Sequence, residues 1–131
     1  MNKESTVEVQ LTILSEDSSG VKSPVNINNL TGLVAVAYNE GKKIIGKYSM
    51  NPQTGFEPID TTGTGTDAAN GICIIRMNTD VTKASLSKMV KFEVHVFQAN
   101  ANFTGNEQHD IATDIELEEA KDIILINAKG S

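Results

Sequence analysis

The chain has 131 residues, 39% of them hydrophobic and 21% charged, with a formal net charge of −6. That is one domain, residues 1–131, able to bury about two-thirds of its unfolded surface around a single core. The acidic balance and the lack of any basic cluster beyond Lys42-Lys43 exclude the footprint of a nucleic-acid binder, and the single cysteine, Cys73, excludes an internal disulfide or a paired-cysteine metal site.

In chain order, Thr6 to Leu14 alternates Val7, Val9, Leu11 and Ile13 with Glu8, Gln10 and Thr12, the period of a strand with one wet face. A turn-rich connection, Ser15 to Pro24, leads to a second alternating run, Val25 to Leu30, which Thr31-Gly32 ends. Leu33 to Tyr38 is small and apolar, as in a strand in mid-sheet. Lys43 to Ser49 pairs with it as a hairpin, Gly41 supplying the positive φ of the turn. Residues 50 to 70 hold turn chemistry. Ile72 to Met77 is a short β-branched strand, and Asp80 to Met89 accommodates one helical turn with Asp80 as its N-cap. Val90 to Phe97 alternates again, with Phe92, Val94 and Val96 on one face and Glu93 and His95 on the other. Ile111 to Leu117 and Ile123 to Ile126 close the chain.

Seven to eight short strands separated by turns, with no crossover helix, predict an all-β fold: an antiparallel two-sheet β-sandwich of immunoglobulin-like or transthyretin-like pattern. A small β-barrel is the alternative. The paired cysteines and buried Trp of antibody-type domains are missing.

The run Asp60-Thr-Thr-Gly-Thr-Gly-Thr-Asp-Ala-Ala-Asn-Gly71 invites a test against ligand-cradling templates. It lacks the Gly-Lys-Ser/Thr ending of a phosphate loop and does not open a helix as a dinucleotide fingerprint must. It matches only part of one calcium-binding nonapeptide, and such sites are shared between repeats that this chain lacks. The expectation is a mobile connection before a buried strand, with no cofactor, and with Asp60 and Asp67 as the ligands if calcium binds. His95 and His109 are expected to face solvent, since a metal pair would need further ligands from Asp110 or Asp114. Ser85-Leu-Ser-Lys88 has the S-x-x-K spacing of penicillin-recognising enzymes but none of their other motifs. Cys73, in an apolar strand, is expected in the core.

No catalytic constellation survives, so the sequence predicts a non-enzymatic structural module acting by protein–protein contact or self-association, such as a virion or surface-appendage component. The alternative is a secreted cell-surface module binding glycan or calcium, its signal peptide removed. The residues before the first strand are not expected to act as a leader and the longest apolar run, Ile123 to Ile126, is too short for a bilayer, so no membrane insertion is expected. The loop aromatics Phe56 and Phe103 are the expected contact residues.

Overall fold

The computed structural model describes residues 7–39, 42–77, 91–116 and 123–126. Their architecture is two β-sheets facing each other across one core. The smaller sheet is built on β1 (Val7–Glu16), whose first half pairs antiparallel with β6 (Ile72–Met77). Its second half is flanked by β2 (Lys22–Pro24, antiparallel) and β9 (Ile123–Ile126, parallel). The larger sheet has five strands in the order β5 (Glu57–Pro58), β4 (Ile44–Ser49), β3 (Leu30–Tyr38), β7 (Lys91–Ala99), β8 (Glu107–Glu116). The two sheets remain separate among the described residues, so the barrel alternative is corrected to an open two-layer arrangement. The positions of the helical turn expected at Asp80 to Met89, of Ser85 and Lys88, and of Gly41 lie outside the described residues.

Alternation does what it should at the centre of both sheets. Leu11 and Ile13 of β1, Cys73, Ile75 and Met77 of β6, Leu33, Ala35 and Ala37 of β3, and Phe92, Val94 and Val96 of β7 point into one core and are buried. Successive side chains on a strand face opposite ways, so each apolar set is brought inside together. Tyr48 of β4 and Ile59 close the open side of that core.

Two segments depart from the sequence reading. Val25 to Leu30 is not a strand, because a 3-10 turn spans Ile27–Asn29, capped by Asn26, whose side-chain oxygen accepts the Asn28 N–H. Asn satisfies backbone donors locally and so competes with sheet pairing. Thr31-Gly32 does not end a strand either; β3 begins at Leu30 and passes through a register shift between Leu30 and Gly32. At the β3–β4 turn the positive φ among the described residues falls on Lys42, at 62°, held by its N–H to the Asn39 carbonyl.

Candidate functional site

The Asp60 to Gly71 run is not a loose connection. Asp60 pairs with Ile74 and Asp67 with Ile72 as antiparallel bridges, and a 3-10 turn over Ala68–Asn70 ends at Gly71, so the segment folds back along β6. Asp60 Oδ1 accepts the backbone N–H of Thr62 and of Gly63 at 3.1 and 2.8 Å, and Oδ2 accepts Arg76 Nη1 at 2.7 Å. Arg76, whose Nε also donates to Glu8 Oε2 at 2.8 Å, holds the Asp60 carboxyl below its ordinary range, with the two amides adding to the effect. Asp67 Oδ2 accepts the Asn70 side-chain amide at 2.8 Å. Both candidate calcium ligands serve as turn formers, through the local Asp bonding that organises such loops. Among the described residues no group of three or more His, Cys, Asp or Glu side chains converges as a metal cage.

The outer face of the larger sheet is the more unusual surface. An antiparallel sheet with one face on the core normally presents polar residues to water. Here cross-strand register places Val34 beside His95 and His95 beside Ile111, Val36 beside Glu93, and Tyr38 beside Ile44. Ile44 and Ile111 are 56% and 51% exposed, and Val34, Val36 and Tyr38 are half-buried. A shallow cavity of ≈ 510 Å³ lies on this face, lined by Val36, Tyr38, Lys42, Ile44, Glu93 and Thr113.

Within this face β7 and β8 bring the two histidines together. Phe97 is the register partner of His109 and His95 that of Ile111, so His95 and His109 are diagonal neighbours. His95 Nδ1 lies 2.9 Å from His109 Nε2, and His95 Nε2 lies 2.6 Å from Glu93 Oε1. The Phe97 ring stacks on His109 with centroids 4.2 Å apart. Phe97 in turn lies over Gly32, where an added Cβ would come within 3.2 Å of its Cδ2. Both histidines stand on the outer face as expected, His109 exposed, but they are paired: the His95 side chain is only 21% exposed and both of its ring nitrogens have partners. Asp110, offered as a further ligand, lies on the opposite face from His109 by strand alternation and accepts the Gln108 amide. The Asp114 side chain lies outside the described residues.

β8 begins at Glu107, four residues before the strand read from the sequence at Ile111. With β7 alternation known, folding the chain back at Asn100 to Asn106 sets His109 opposite Phe97.

Of the two loop aromatics, Phe56 is half-buried, with Lys47 Nζ 5.0 Å from its ring centroid. Lys47 is the register partner of Val36, which puts this cation–π contact at the margin of the same outer face. Phe103 is half-buried in the β7–β8 turn, its carbonyl accepting the Asn106 N–H. Cys73 is fully buried, and burial, with a smaller effect of the Asp60 charge, pushes its thiol up to about 12. It will not react with a soluble thiol reagent at pH 8 in the native protein and will react at once in denaturant; rapid native labelling would show that β6 opens readily. Compared with protein families, with curated proteins and with solved structures, the chain matches none.

Proposed function

We propose that this chain is a non-enzymatic β-sandwich module working by protein–protein contact, as a virion or surface-appendage component, and that the outer face of its five-stranded sheet is the contact surface. The observation that carries this reading is the apolar row of Val34, Val36, Tyr38, Ile44 and Ile111 on a face that would otherwise be polar. An immunoglobulin-like connectivity belongs to the same proposal. In that fold a sheet of three or more strands faces a four-stranded sheet, as the five strands β5-β4-β3-β7-β8 face the sheet of β2, β1, β6 and β9 here.

The first partner proposed is a second copy of the chain. Lys42 and Lys47 border the face on the β4 side and Glu107 on the β8 side. An isologous pairing sets this face of one copy against the same face of the other, and that is the commonest form of assembly.

Light scattering across a concentration series tests the proposal. The wild-type protein is expected to associate, and the double variant Ile44→Asp with Ile111→Asp, changed only at exposed positions, is expected to remain monomeric and folded. A wild type that is monomeric at all concentrations and melts higher with calcium would instead support the ligand-binding alternative.

A further inference from the structure

We propose that His95 and His109 form a surface site for one divalent transition-metal ion of the copper, nickel or zinc type. His95 Nδ1 and His109 Nε2 lie 2.9 Å apart on neighbouring strands. Two nitrogens that close compete for a single shared proton, and a metal ion with two lone pairs directed at it replaces that proton.

The tautomer is set from behind. Glu93 Oε1, 2.6 Å from His95 Nε2, accepts the proton on that nitrogen and leaves Nδ1 with its lone pair toward His109. A carboxylate on the far nitrogen is the usual support of a metal-binding imidazole, fixing its orientation and raising its basicity. The His109 ring is held in turn by stacking on Phe97 at 4.2 Å, and Phe97 rests on the bare backbone of Gly32. Both ligands stand on paired strands, so little ordering is needed on binding.

Geometry selects the ion. With metal–nitrogen bonds of about 2.0–2.1 Å, nitrogens 2.9 Å apart subtend about 90° at the metal. That is the angle between adjacent positions of a square or octahedral ion, which favours copper(II) or nickel(II). Tetrahedral zinc requires the rings to separate by a few tenths of an ångström. Water fills the remaining positions, because no third ligating side chain converges there among the described residues. Both ligands come from one chain, so the site needs no second copy, but His95 lies between Val34 and Ile111, and metal binding and self-association share this face.

Titration calorimetry of the untagged full chain with nickel chloride, in a buffer that does not chelate, tests the site. One ion is expected per chain. His95→Ala and His109→Ala should each abolish measurable binding, while Glu93→Gln, which keeps both ligands, should weaken it about tenfold. In NMR spectra the imidazole signals of both histidines should shift together on adding zinc. Circular dichroism checks that each variant is folded, and His109→Gln serves as a second variant if the alanine change disturbs the hairpin. No binding by wild type, or binding undiminished in the His95→Ala, His109→Ala double variant, would overturn the proposal.

Discussion

Gly71→Ala is expected to destabilise the fold by about 3 kcal/mol, read as a loss of roughly 10 °C in melting temperature for a domain of this size. Gly71 has φ 81°, a left-handed conformation that costs an L-residue, and it ends the 3-10 turn that returns the chain into β6. Space is the larger constraint. A Cβ there would collide with the Ile13 carbonyl oxygen and come within 3.0 Å of the Val25 carbonyl oxygen. These are backbone atoms of the central strand and its neighbour, and the Ile13 N–H donates to the Gly71 carbonyl at 2.8 Å. No rotamer change relieves the clash. Gly105→Ala isolates the two effects, because Gly105 has a similar φ of 80° but a Cβ there meets nothing within 4 Å. It should cost only the conformational strain, about 1 kcal/mol. Equal losses in urea denaturation would show that crowding at Gly71 is absorbed elsewhere.

That position marks the limit of what the sequence disclosed. The inward sets of β1 and β7 were legible because period-two alternation reports which residues share a face, and both belong to the core. Alternation does not report which strands become neighbours. The bridges of Asp60 and Asp67 to β6, the parallel pairing of β9 with β1 and the short strands β2 and β5 depend on tertiary placement of segments with no periodic signal. The same blindness hid the candidate site. His95 was correctly assigned to the outer face of its strand, yet its partner came from register across a hairpin, a property of two strands and the turn between them. Asp60 and Asp67 drew attention by composition, and in the fold their carboxylates accept from Thr62, Gly63, Arg76 and Asn70.

Tyr48 should give two results of opposite sign. Tyr48→Ala removes a fully buried ring that closes the open side of the core and is expected to cost at least about 3 kcal/mol. Tyr48→Phe, which keeps the ring, is expected to stabilise the protein by about 1 kcal/mol. The Tyr48 hydroxyl is buried and meets no hydrogen-bond partner among the described residues, although it borders a cavity lined by Glu57, Asp60, Thr62 and Arg76. A polar group taken from water without a partner opposes folding, and deleting it removes that opposition. The hydroxyl's acidity gives a second reading of the same fact. Burial, with a smaller effect from the Glu57 charge, pushes its pKa up to about 12 from the ordinary 10.0. The folded state then holds a proton that the unfolded state releases, so the wild type loses stability as pH rises from about 10 toward 12. Tyr48→Phe lacks that loss, and its advantage over wild type should widen between pH 7 and pH 10.5 in urea denaturation. Cys73, also raised to about 12, weakens both proteins alike over the alkaline range and cancels from the comparison. A Tyr48→Phe protein less stable than wild type at pH 7 would mean that the hydroxyl has a partner, and the cavity beside it would be the place to look for one.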